Sequence, residues 1–289
     1  IGAAKALRTR MTPFVHDCPS AVDTCGTGGD GLGSFNISTT VAIVAAACGA
    51  PVIKHGNRAV SSSCGSADLL QAAGVVLDLT PESARECLEA CGITFLFAPN
   101  YHPAMRFAGP VRRALKVRTI FNLLGPLANP GNVKHQVLGV YDARLVETHA
   151  KTLAAIGVEH AWVVHGAGGA DELTLAGVNL YAEVRGGKAG RPQELRPGAF
   201  GLNEAPISAL KGGGKDENLA ILRALLQGQK GPVRDAVLLN TAATLRVGGL
   251  CDELGDGIEQ AANALDSGKA LKKLNAWAEC TQKLSARST

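Results

Sequence analysis

Aromatic side chains make up only 4% of the 289 residues, which argues against a β-sandwich, whose strands draw heavily on aromatic and β-branched residues. The eight cysteines could suggest a disulfide scaffold, but they are scattered over nearly the whole chain and contain no C-x-x-C pair. Spread from Cys18 to Cys280, they read as free thiols in a reducing cytoplasm. Cys87 and Cys91 lie four apart on an expected helix, share a face and read as core packing. Charge of one sign is also lacking: 29 basic against 25 acidic residues leave +4, with no run of Lys or Arg. A nucleic-acid partner is therefore not expected. The longest apolar run, 41–48, is too short to cross a bilayer, so no membrane is expected either. The start, Ile1-Gly2-Ala3-Ala4-Lys5-Ala6-Leu7-Arg8, has no initiator Met, no basic n-region and no cleavage site; it reads as a helix cut from a longer chain rather than a signal.

What is present is glycine, 35 residues of it, in a chain 46% hydrophobic and 19% charged. That composition suits an α/β fold with tight turns, and the length suits no more than about two domains. Short apolar runs at 22–24, 52–55, 94–98, 136–140 and 161–165 read as buried parallel strands, with antiparallel pieces at 179–184 and 193–196. Between them 37–48, 67–73, 81–90 and 145–156 read as helices, and after 215 only helices are expected, over 216–226, 232–247, 255–266 and 268–280. Thr80 before Pro81 is a helix cap followed by proline at the first helical position. The expected fold is α/β, a mainly parallel central sheet with flanking helices plus a small, discontinuous α-helical domain. Residues 1–11 and 100–130 would form the small domain, and 12–99 with 131–289 the large one.

Three blocks carry chemistry. Gly26-Thr27-Gly28-Gly29-Asp30-Gly31 follows a strand and leads through Asn36-Ile37-Ser38-Thr39-Thr40 into an apolar helix. Glycines let backbone N–H groups turn onto an anion, and the helix start adds unpaired N–H groups and a positive dipole end. No Gly-Lys-Ser/Thr follows, so this is not a Walker loop, and Asp30 spoils a dinucleotide fingerprint. A carboxylate inside a phosphate loop points instead to a metal or a ribose hydroxyl. The second block is Lys54-His55-Gly56-Asn57-Arg58-Ala59-Val60-Ser61-Ser62 with Gly65-Ser66-Ala67-Asp68, again at the carboxyl end of a strand, where α/β sheets bind ligands. The third is Asp171-Glu172, expected at the surface after the fifth strand and suited to magnesium, which takes one or two carboxylates plus substrate oxygens.

With His102-Pro103-Ala104-Met105-Arg106, Val111-Arg112 and the run from Arg118 to Leu127 (RTIFNLLGPL), these blocks resemble the anthranilate phosphoribosyltransferase family over nearly the whole chain. The motifs G-T-G-G-D-G, N-x-S-T, K-H-G-N-R, G-S-A-D, R-T-x-F-N-x-x-G-P-L and D-E stand in the family's order. Gln71 stands where the family commonly has Glu, and Cys64 where a basic or polar residue is common; neither is a motif residue.

The resemblance implies transfer of the 5-phosphoribosyl group from phosphoribosyl diphosphate to the amine of anthranilate, releasing pyrophosphate. It implies a diphosphoribosyl site of Gly26, Gly29, Asp30, Ser34, Asn36, Ile37, Ser38, Thr39 and the loop Lys54, His55, Gly56, Asn57, Arg58, Ala59, Val60, Ser61 and Ser62, closed by Ser66. Magnesium, two ions expected, would be held by Ser38, Asp171 and Glu172. Anthranilate would meet Gly26, Asn57 and Arg112, with His55 and His102 along its channel; the Arg112 guanidinium suits the substrate carboxylate. Catalysis is assigned to Lys54, Asp171, Glu172 and Arg112. Two rivals are a nucleoside phosphorylase of the same fold, which has less use for Asp171-Glu172 or Arg112, and a silent nucleic-acid-binding paralogue, which should carry a basic stripe. The family's small domain begins with further helices and makes its homodimer contact, so these 289 residues alone are expected to be monomeric or weakly associated.

Overall fold

A computed structural model describes residues 1–59, 63–108 and 119–287. Its sheet centres on five parallel strands, β1 (Val22–Gly26), β2 (Val52–Gly56), β3 (Ile93–Phe97), β4 (His135–Gly139) and β5 (His160–His165), in the order β3-β2-β1-β4-β5. Antiparallel β6 (Asn179–Arg185) continues beside β5, and β7 (Lys188–Ala189) and β8 (Gln193–Leu195) both pair with β6. The helices are α1 (Gly2–Arg8), α2 (Ile37–Ala47), α3 (Ser66–Ala72), α4 (Pro81–Cys91), α5 (Ala98–Tyr101), α6 (Phe121–Leu124), α7 (Leu145–Ala155), α8 (Lys215–Leu226), α9 (Pro232–Val247), α10 (Leu254–Asp266) and α11 (Lys269–Arg287). Among the described residues no helix is long and apolar enough to cross a membrane.

The period-two rule divides the strand side chains between two apolar clusters. Val137, Trp162 and Val164 face a large core shared with α2, α9, α10 and α11, while Leu138, Ala161 and Val163 face a smaller one under α7. Helix α2 is apolar nearly all round because it lies between the sheet and α9 and α11. At the start of α4, Thr80 accepts a hydrogen bond from the Ser83 N–H at 3.2 Å and Pro81 opens the helix; Gly92 closes it at φ +67°.

Three departures from expectation have a local physical cause. Ala98 belongs to α5 rather than to the third strand, because Pro99 has no N–H to continue a ladder and suits a helix's first turn. Strand β7, two residues long, is too short to show alternation. The last helix runs on to Arg287, since the buried stripe Leu274, Trp277, Thr281 and Leu284 continues past residue 280. At the other terminus Ala4 packs with Leu124 and Leu127 in the smaller cluster, and the chain then joins Tyr101 and Pro130 through backbone hydrogen bonds from Thr12 (2.8 Å) and Phe14 (3.0 Å).

Candidate active site

Strand order reverses at β1, which pairs with β2 on one side and β4 on the other, with Gly26 opposite Gly139 at the carboxyl ends. Such a switch point opens a crevice beyond the strand ends. Here it holds a cavity of about 910 Å³. The loop after β5 drives Asp171 into it: a Cβ on Gly26 would strike the Asp171 carboxylate, and one on Gly139 its backbone carbonyl. Only glycine admits that close approach.

Seventeen of the described sequence candidates line this one cavity: Gly26, Gly29, Asp30, Ser34, Asn36, Ser38, Thr39, Lys54, His55, Gly56, Asn57, Arg58, Ala59, Ser66, His102, Asp171 and Glu172. Ile37 does not; its side chain is wholly buried in the core behind the loop, where it anchors the start of α2. Val60, Ser61, Ser62 and Arg112 lie outside the described residues.

Asp171 and Glu172 are not surface acids. Asp171 is 8% exposed and accepts a hydrogen bond from the Gly28 N–H at 2.7 Å. One oxygen of Glu172 is buried without a partner, as is one of Asp30. The three carboxylates offer oxygens within 4.8 Å of one another. Burial first, then neighbouring Asp30, pushes the Asp171 carboxyl up to about 7; burial, Asp171 and Asp30 push that of Glu172 well above its usual range. Clustered, desolvated, under-bonded carboxylates favour a cation, and all-oxygen donors suit magnesium. Asp30 thus joins the metal-capable group, beyond Asp171 and Glu172. The Thr39 hydroxyl, also buried without a partner, lines the same cavity at the start of α2, where it can donate a hydrogen bond to a phosphate oxygen.

Beneath this group Lys54 is 2% exposed, and its ammonium donates to the Thr24 carbonyl. Burial lowers its pKa, while Asp23, Cys25, Glu172 and Asp171 oppose the fall. Asp23, fully buried, accepts from the Asn129 amide at 2.8 Å and from the His55 N–H at 3.2 Å. Lys54 is therefore built into the cavity wall rather than extended into its space. Beside it the His55 and His102 Nε2 atoms lie 3.2 Å apart. Burial, His102 and Lys54 drop the His55 pKa to about 3, and burial lowers that of His102, so both rings are neutral at pH 7.

The second loop is tied by Asp68, which accepts from the N–H groups of Ala59 (3.0 Å) and Gly65 (2.9 Å) and from Arg58 (3.1 Å). Burial raises the Asp68 pKa, and these donors outweigh it, leaving the carboxyl below its usual value. Ser66 donates to the Asn57 carbonyl at 3.1 Å, closing the same loop. Asn36 donates to the Cys64 carbonyl (3.0 Å) and accepts from Asn218 of α8 (2.9 Å). Because the Cys64 backbone makes that bond, its departure from the common residue type leaves the loop intact. The positioning residues Asp23, Asn129 and Asn218 went unread in the sequence: each is a single polar residue in a segment with no motif.

Residues 18–271 match the model of the glycosyl transferase family, a/b domain. The chain is 52% identical over 275 residues to the anthranilate phosphoribosyltransferase of Chloroflexus aurantiacus, covering 95% of this chain and 81% of that protein. Among solved structures it is similar to the anthranilate phosphoribosyltransferase of Thermus thermophilus, with a TM-score of 0.90, 47% identity, and 96% and 83% of the two chains covered. The Saccharomyces cerevisiae enzyme, solved with PRPP and Mg, gives a TM-score of 0.89 at 30% identity, over 97% of this chain and 79% of that one. That yeast protein has also been solved with 4-fluoroanthranilate.

Proposed function

This chain belongs to the anthranilate phosphoribosyltransferase family, and on that premise we propose that it moves the 5-phosphoribosyl group of phosphoribosyl diphosphate onto the amine of anthranilate. The products are N-(5-phosphoribosyl)anthranilate and pyrophosphate, in tryptophan biosynthesis. The observation that carries the reading is the convergence on one cavity, at the switch point of the sheet, of two loops and three clustered carboxylates, two of which keep an oxygen without a partner.

An aromatic amine is already neutral at pH 7, so the reaction needs no strong base. Its barrier lies in breaking the C1–O bond while charge builds on the ribosyl carbon and on the leaving diphosphate. The glycine loop and the start of α2, with the Thr39 hydroxyl, bind phosphate oxygens by N–H and O–H donation. Asp30, Asp171 and Glu172, with Ser38 beside them, would hold magnesium; when bound it neutralises charge developing on diphosphate oxygens. Lys54 supplies fixed positive charge beneath those acids and keeps them placed. Asn57 and Arg112 bind anthranilate, and the neutral His55–His102 pair walls its ring without drawing a proton from the amine. Holding the amine opposite the leaving group supplies much of the remaining acceleration.

Residues 1–11 and 100–130 we assign to the small helical domain and the remainder to the large one, in a cytoplasmic, homodimeric enzyme. Pyrophosphate release measured with anthranilate, with uracil, with thymine and with no acceptor tests the reaction: release with anthranilate alone is expected, and release with a pyrimidine instead would overturn the assignment. Arg112→Ala is expected to raise KM for anthranilate about tenfold to a hundredfold, the cost of a charge-assisted hydrogen bond, with little change for phosphoribosyl diphosphate. Equal effects on both substrates would remove Arg112 from the acceptor site.

A further inference from the structure

A second convergence of ligand atoms lies at the opposite end of the sheet. Helix α11 packs across α4 and brings Cys280 to Cys87 and Cys91, whose four-residue spacing places them on one helical face. The three Sγ atoms lie within 4.8 Å of one another. Cys87 is wholly buried and Cys91 nearly so, while Cys280 is half-buried. Cys91 and Cys280 form part of the wall of a cleft of about 400 Å³ that Glu86, Glu279, Lys283 and Arg287 also line. The Cys87 thiol donates to the Ile93 carbonyl at 3.4 Å, at the amino end of β3, and none of the three cysteines lines the active-site cavity. Packing alone asks for small apolar side chains here; it does not ask for three sulfurs meeting at the base of an open cleft.

We propose that Cys87, Cys91 and Cys280 bind one thiophilic divalent cation of the zinc type, which ties α11 to α4. Tetrahedral zinc with bonds of about 2.3 Å sets its sulfurs about 3.8 Å apart, so no pair has to close by more than about 1 Å. Thiolates select such a cation over magnesium, which takes oxygen ligands. Binding forms three metal–sulfur bonds and sends three thiol protons to solvent. It also ends the donations from Cys87 to Ile93 and from Cys91 to the Ala276 carbonyl at 3.8 Å. Lys273, whose ammonium donates to the Cys91 carbonyl at 2.6 Å, and Lys283 in the cleft offset the charge of a trithiolate. The fourth metal position falls to water or to a cleft carboxylate.

The test is titration of the reduced chain with Cd²⁺, in excess Mg²⁺ to occupy the carboxylates. A thiolate-to-cadmium charge-transfer absorbance that saturates at one equivalent is expected. It should be displaced by Zn²⁺, kept in Cys251→Ser and lost in Cys280→Ser, and also lost in Cys91→Ala should the first variant fold poorly. Zn²⁺ should raise the melting temperature of the parent and not of Cys280→Ser, whose kcat in Mg²⁺ should equal the parent's. Absorbance that is absent, or that persists in both variants, would overturn the proposal. So would air oxidation that joins Cys91 to Cys280 in a protein showing no cadmium absorbance when reduced.

Discussion

Asp23 and Glu172 are both carboxylates in the surroundings of Lys54, and both have their pKa values raised first by burial. Their remaining surroundings are opposite. Asp23 accepts hydrogen bonds from Asn129 and His55, and its nearest opposing charge is Lys54. Glu172 has an oxygen without a partner and two other acids against it. The first arrangement is complete without a ligand and holds the cavity floor; the second is complete only when a cation enters. Burial therefore does not separate a structural acid from a functional one, whereas unmet hydrogen-bonding capacity does.

The sharpest way to break that contrast is Asp23→Asn, which leaves Lys54 buried without its main counter-charge and is expected to cost about 3 to 5 kcal/mol in chemical denaturation. A loss no greater than that of an exposed substitution would show that the floor pair is not the support described. The reverse sign is expected at the other group. Asp171→Asn with Glu172→Gln should lower turnover on the order of a hundredfold and blunt its dependence on magnesium. The metal-free variant should nevertheless melt no lower than the parent at pH 7. Both native carboxyls have folded pKa values above their unfolded ones, so they lose stability as pH rises through that window, and the amides remove the loss. Unchanged turnover, or a collapse of the apo fold, would contradict the assignment.

A smaller effect distinguishes the neutral histidine wall from the charged groups around it. His55 has a folded pKa of about 3 against an ordinary 6.5, so between those values the unfolded chain binds the additional proton. Stability from this residue is present above pH 6.5 and is lost as pH falls toward 3. His55→Gln should reduce the loss between pH 7 and pH 5 by about 2 kcal/mol, read from denaturation midpoints at the two values. Parallel curves for parent and variant would mean that the imidazole is already accessible to protons in the folded state.

Local chemistry was legible. Thr80-Pro81 marked the start of α4, and the short apolar runs at 136–140 and 161–165 marked buried strands, which the structure covers on both faces. The glycine loop and the Lys54 block each showed donors and phosphate-sized turns, because such a turn needs particular residues at adjacent positions. Surface exposure of Asp171-Glu172 was misread for the converse reason: two acids in sequence look solvated, and nothing nearby records that β1 and β4 end in glycines that let this loop inside.

From its sequence alone this chain is an α/β protein with an anion loop, a basic loop and an acidic pair, since backbone freedom, helix capping and side-chain period act over a few residues. Tertiary structure decided which of these groups meet. Asp171 reaches Gly28 across 143 positions of chain and Asn218 reaches Asn36 across 182, while Cys280 joins Cys87 and Cys91 only where α11 crosses α4. Those meetings follow from strand order and helix packing, which burial of the whole apolar surface sets. Contacts so distant along the chain leave no local pattern from which they can be read.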